Sequence, residues 1–161
     1  MFKILKLIAV ALLSLFVISG DAFADITDKE EAAAFAGFIQ DLVHTTQTVK
    51  PGVICYIGSD EISRIIAQEK NSFDLARDGS KFNSCKAIYV ATGIIKGVAA
   101  EIAKYNKNKI MTIAIFDGFT EGGGMIQVQM GRRSFELILN SKAVKDSGVR
   151  LSALSLSLVI N

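Results

Sequence analysis

The chain has no tryptophan, one proline, one histidine and two cysteines among its 161 residues. Each scarcity removes a class of function. With Pro51 as the only proline there is no proline-rich linker or tail, and no repeat or low-complexity tract stands beside it. One histidine and two cysteines at unrelated spacings supply too few ligands for a zinc site. His44 has no nucleophile in a recognisable elbow to work with. The stretch "GSDE" (Gly58 to Glu61) is not Gly-x-Ser-x-Gly, so His44 reads as a surface or capping residue near a helix end. Charge of one sign is also lacking. Lys and Arg number 18 against 16 Asp and Glu, a formal net charge of +2, so the chain has no electrostatic footprint for nucleic acid. The basic clusters "NKNK" (Asn106 to Lys109) and "GRR" (Gly131 to Arg133) read as solvated turns.

The glycine run in "DGFTEGGGMIQVQM" (Asp117 to Met130) lacks the Lys-Ser/Thr of a phosphate-cradling P-loop. A strand pattern follows it rather than a helix, so a dinucleotide loop fails as well. The expected role of Gly122 to Gly124 is to let the backbone take positive φ and bend into a hairpin. A phosphoacceptor receiver domain is excluded because "ATG", with no aspartate, follows the strand that ends at Ala91. No cofactor and no metal is expected.

What is present is apolar. Residues of that class make up 50 % of the chain, enough for one domain with its own core. Lys3 and Lys6 precede the run Leu7 to Ser19, and "AFA" (Ala22 to Ala24) follows. That is the layout of a signal peptide cleaved after Ala24, leaving an exported domain of residues 25–161. An uncleaved anchor is the alternative, for which the apolar run is short. Cleavage would remove two lysines and one aspartate and lower the formal charge from +2 to +1. In an oxidising compartment an even cysteine count suggests a Cys55–Cys85 disulfide. A pair of buried thiols is the other reading, since the sequence does not fix their distance.

Along the chain, Phe35, Phe38, Ile39, Leu42 and Val43 fall on one stripe and predict a helix over residues 29–44. "VICYI" (Val53 to Ile57), "KAIYVA" (Lys86 to Ala91) and "KIMTIAIF" (Lys109 to Phe116) read as strands buried on both faces. Ser59 or Asp60 can cap a helix after the first of them. "TGIIKGVAAEIAKY" reads as a crossover helix after the second, with Ile95, Val98, Ile102 and Tyr105 on its stripe. One short strand is expected between residues 71 and 85. Strand, helix, strand, helix, strand predicts parallel β-α-β units. "MIQVQM" and "SFELIL" alternate about "GRR" and predict an antiparallel hairpin with one buried face. Asn140 or Ser141 can cap a helix ending at Gly148, and "VRLSALSLSLVIN" closes the chain as a strand or docked helix. The fold class is therefore α/β: a single Rossmann- or flavodoxin-like layered sheet, a parallel β-α-β core followed by an antiparallel hairpin, with an extra N-terminal helix. In such sheets sites form at strand C-terminal ends. The candidates for ligand or partner contact are Asp60, Thr92 and Asp117 there, with Phe119 and Glu121 in the turn beyond. For Asp60 and Asp117, capping and turn roles compete with a binding role.

Several of these motifs together resemble the YfiR family. Gly118-Phe119, Gly123-Gly124-Met125-Ile126, Phe135-Glu136 and Gly148-Val149-Arg150-Leu151-Ser152 stand where that family has its Gly-Phe turn, Gly-Gly-Met-Ile corner, Phe-Glu strand and Gly-Leu-Arg-Ile-Ser stretch. "ICYIGSDEI" and "SCKAIYVA" are similar to its two cysteine-bearing strand ends. Ile138 replaces a family asparagine, Phe116 occupies a place usually polar, and the Trp-Pro that usually follows the first helix is missing. The resemblance implies a periplasmic, non-enzymatic repressor that binds the periplasmic part of an inner-membrane diguanylate cyclase and keeps cyclic di-GMP, and with it biofilm formation, low. It also implies a homodimer, and cysteines that link repression to redox state. The alternative is an exported small-ligand-binding protein with its site at Asp60, Thr92 and Asp117.

Overall fold

The computed structural model of the chain describes residues 28–46, 53–92, 98–132 and 134–151. The expected signal peptide (1–24), residues 93–97 at the start of the crossover helix, and the closing stretch from residue 152 onward lie outside the described residues. The elements run α1 (Lys29–Thr46), β1 (Val53–Ile57), α2 (Glu61–Ile66), β2 (Phe73–Asp74), a 3₁₀ helix (Gly79–Ser84), β3 (Cys85–Val90), α3 (Val98–Lys107), β4 (Met111–Ala114), β5 (Ile126–Met130), β6 (Phe135–Leu139) and α4 (Ser141–Ser147). One six-stranded sheet has the order β2-β1-β3-β4-β5-β6. The first five strands are parallel and β6 is antiparallel to β5.

The strand order reverses between β1 and β3. A right-handed crossover that turns one way from β1 to β2 and the other way from β2 to β3 and from β3 to β4 must place its connections on opposite faces. They are so placed. Ile62 and Ile66 of α2 join Phe35, Ile39, Leu42 and Val43 of α1 over one face, packed on Ile54, Tyr89, Met111, Ile113, Ile126 and Val128. On the other face Ile102 and Tyr105 of α3 and Phe82 of the 3₁₀ helix cover Cys55, Ile88, Val90 and Ala114. Four of the five residues of the α1 stripe are buried, and Phe38 packs at its margin on Phe135, with ring centroids 4.6 Å apart.

The sheet corrects one expectation. The glycine stretch does not bend the chain into a hairpin. It lies in the 115–125 crossover that carries the chain from β4 to the parallel strand β5, with Ile113 beside Ile126 and Ala114 beside Gln127. The antiparallel pairing comes later, between β5 and β6, where Gly131 N–H donates to the Ser134 carbonyl at 2.8 Å. Within the crossover Gly123 takes φ +98°, a conformation open to glycine, whereas Gly122 does not have positive φ. Gly124 is required for a different reason. A Cβ there would sit 2.2 Å from the Phe119 ring, which packs against the bare backbone. The crossover covers the second face of β5, which is why Gln127, expected to face solvent, is only 2 % exposed.

Candidate functional site

The crevice where strand order reverses, between the C-terminal ends of β1 and β3, is the place where open α/β sheets bind ligands. Asp60 and Thr92 meet there. Asp60 is the N-cap of α2, held in extended backbone conformation with φ −142°. Its Oδ1 accepts from Ser63 N–H at 2.7 Å, while Asp60 N–H donates to Ser63 Oγ at 2.8 Å, a reciprocal capping box. Its Oδ2 accepts from the Tyr89 hydroxyl at 2.8 Å and from Thr92 N–H at 3.1 Å. The carboxylate therefore joins α2, β3 and the turn after β3. Tyr89 is wholly buried. Burial first, and then the Asp60 charge and hydrogen bond, push its phenol well above the ordinary tyrosine range, so it stays a donor. The arrangement is a staple across the crevice, with both carboxylate oxygens engaged from inside the fold.

Asp117, Phe119 and Glu121 lie in the 115–125 crossover instead, and no hydrogen bond among the described residues links them to the Asp60–Thr92 pair. Asp117 is exposed and its Oδ1 accepts from Gln127 Nε2 at 3.1 Å. Glu121 is exposed and accepts from Thr120 Oγ1 at 3.2 Å. Phe119 is 2 % exposed and meets Phe116 edge-on, with centroids 5.3 Å apart, so its ring belongs to the core. The crossover is held from two sides. Asn106 of α3 donates to the Gly123 carbonyl at 2.9 Å, and Asn140 donates to the Thr120 carbonyl at 2.8 Å while its Oδ1 caps α4 through Ala143 N–H.

Those ties also settle what the glycines can offer. Gly122 N–H donates to the Gly118 carbonyl at 2.9 Å, Gly123 N–H to Thr120 at 3.2 Å, Gly124 N–H to Phe119 at 2.9 Å and Met125 N–H to Thr112 Oγ1 at 3.0 Å. No amide in that row is left to point at a phosphate, and a strand rather than a helix begins behind it. Among the described residues no group of three or more His, Cys, Asp or Glu side chains could hold a metal ion, and no helix is long and apolar enough to cross a membrane.

Cys55 in β1 and Cys85 at the start of β3 form a disulfide, with Cα atoms 5.7 Å apart. The bridge joins neighbouring strands, and both residues are buried. Two shallow grooves stand out elsewhere. One, about 280 Å³, lies between α3 and α4 and is lined by Asn106, Lys107, Gly123, Asn140 and Lys142. The other, about 290 Å³, lies beside Asp41, His44, Ile54 and Lys70. Neither includes Asp60, Thr92 or Asp117.

Tyr89, Ser63, Asn106 and Gln127 were not foreseen as parts of this architecture. Tyr89 reads as one more apolar residue in a buried strand, and its partner lies 29 positions away. Ser63, three residues after Asp60, was the one local signal, since a side chain at that position can close a capping box.

The sequence profile of the YfiR/HmsC-like family matches residues 31–159 of the chain. No curated protein matches it.

Proposed function

Because the chain belongs to the YfiR/HmsC-like family, whose members are periplasmic regulators of diguanylate cyclases, we propose that it represses an inner-membrane diguanylate cyclase by binding its periplasmic part. The observation that carries this reading is the family match over residues 31–159. The chemistry of the described residues supports it. No nucleophile sits beside a base, the glycine amides are spent within their own loop, and the crevice where a ligand would sit is stapled by Asp60. A protein of this kind acts through its surface, without enzymatic activity of its own. Export by residues 1–24 places that surface in the periplasm, and repression by a homodimer follows the family pattern. The Cys55–Cys85 bridge sets a redox dependence, because its loss loosens the β1–β3 pair on which the sheet is built.

The contact surface is the β5–β6 ribbon. Met130 is 48 % exposed and Ile138 is 37 % exposed, the large apolar side chains most open to solvent among the described residues. Among the described residues β6 is the last strand of the sheet. Exposed apolar side chains of this size suit a protein partner. The immobilised domain is expected to retain an inner-membrane protein bearing a GGDEF domain. Ile138→Lys is expected to weaken that capture by about tenfold or more while leaving the fold intact, since the side chain is outside the core. Capture of no GGDEF protein would remove the cyclase from the reading, and undiminished capture by the variant would move the contact off the ribbon.

A further inference from the structure

Sulfur is scarce in this chain and unevenly placed. There are four methionines and two cysteines, with no tryptophan. Both cysteines are joined in the Cys55–Cys85 bridge, which leaves no thiol to meet an oxidant. Met1 lies outside the described residues. Met111 and Met125 are wholly buried. Met111 sits in β4 beneath α1 and α2, and the Met125 sulfur accepts from the Ser147 hydroxyl at 3.8 Å. Met130, the last residue of β5, differs from both, being 48 % exposed. A buried thioether meets solvent only when the fold opens, whereas an exposed one is reached in the native state.

The β5–β6 register fixes its surroundings. Met130 forms the last pair of the ribbon, directly opposite Phe135. Alternation along the strand puts it on the same face as Ile126 and Val128, the face covered by α1. Phe135 closes on Phe35 and Phe38, with ring centroids 4.9 and 4.6 Å apart. Met130 therefore carries the apolar margin of the α1 layer out into solvent. A sulfoxide there is a polar, chiral group with a strong acceptor oxygen, and the apolar margin would stop at Phe135.

We infer that Met130 is an oxidant-responsive modification site, at which a two-electron oxidant of the peroxide class converts the thioether to the sulfoxide and removes the apolar end of the β5–β6 ribbon. The sulfur lone pair attacks one peroxide oxygen, and the S–O bond forms as the O–O bond breaks. The proton on the transferred oxygen passes to the departing hydroxide, which leaves as water. Sulfur loses two electrons and the peroxide gains them. The product oxygen stays solvated, so the fold is kept. The same oxygen on Met111 or Met125 would be a polar group inside the core, and burial holds peroxide away from both. The two kinds of sulfur then answer opposite conditions, the bridge to reductants and the thioether to oxidants. The effect on a partner rests on the ribbon being the contact surface, and the site itself does not.

The test is timed exposure of the chain freed of residues 1–24, whose described core begins at Ala32, to hydrogen peroxide. Tandem mass spectrometry locates the added oxygen. Met130 is expected to oxidise at least about tenfold faster than Met111 and Met125 in the native chain, and all three at similar rates in urea. Similar native rates at the three, or earlier oxidation of Met111 or Met125, overturns the site. For the effect on a partner, peroxide is removed and the immobilised chain is offered inner-membrane extract. Oxidised parent and untreated Met130→Gln are expected to retain a GGDEF protein about tenfold less well than untreated parent. Met130→Leu, which stays apolar and carries no sulfur, is expected to retain it equally before and after peroxide. Equal loss in oxidised Met130→Leu overturns the effect on the partner. Untreated parent that retains no GGDEF protein removes the cyclase reading and that effect together, while the oxidation rates still decide the site.

Discussion

Tyr89 lies wholly buried with its hydroxyl 2.8 Å from Asp60, and the two residues together decide what the crevice can do. A carboxylate at the switch point of an α/β sheet is where a ligand-binding or catalytic group would stand. Here its oxygens are taken by Ser63, Tyr89 and Thr92, so the residue fastens the crevice instead. The phenol makes this readable in solution. Its ionisation in the native state is pushed above the ordinary value near 10, while in the unfolded chain it titrates there. Above about pH 10 the unfolded chain therefore releases a proton that the native chain keeps, and stability falls by up to about 1.4 kcal/mol per pH unit from this residue. Below that pH the contribution is fully present. Tyr105, pushed up to about 12 by burial and then by Glu101, adds to the loss in the same direction. Urea unfolding at pH 8 to 11 is expected to show the decline in the parent and a shallower one in Tyr89→Phe. Parallel declines in the two would show that the buried phenol is not what titrates.

At the scale of elements, the disulfide and the β4–β5 crossover hold the sheet together. The bridge closes 30 residues between β1 and β3. In the chain-entropy account a loop of that size is worth about 3.5 kcal/mol. Urea unfolding with and without dithiothreitol measures it, and a difference below about 1 kcal/mol would mean that the strands hold each other without it. Much of this level was legible in the sequence. The α1 stripe, the strand cores, the capping residues Asp60 and Asn140, the cysteine pair and the β5–β6 hairpin all follow from local pattern and composition. The position of β5 did not. Its alternation, "MIQVQM", reads as a hairpin strand with one solvated face, and the connection before it contains no helix to announce a parallel crossover. That β5 lies beside β4 is decided by contacts such as Asn106 to Gly123 and Gln127 to Asp117, which join residues 17 and 10 apart and leave no periodic trace. The Asp60–Tyr89 staple was hidden for the same reason. A tyrosine in a buried strand looks apolar until the fold brings a partner to its hydroxyl.

At the scale of the whole molecule, the described residues build one six-stranded sheet with a core on each face. Met130 and Ile138 of the β5–β6 ribbon are exposed, and the sheet is pinned by a covalent bridge between β1 and β3. The family to which the chain belongs regulates the enzymes that make cyclic di-GMP. The most direct test is the cyclic di-GMP content of cells from which the chain has been deleted. The account predicts a rise on deletion, a return to the starting level when the full chain is restored, and no return when residues 1–24 are left off. Cyclic di-GMP that is unchanged by deletion, or that is restored equally by the leaderless chain, would contradict it.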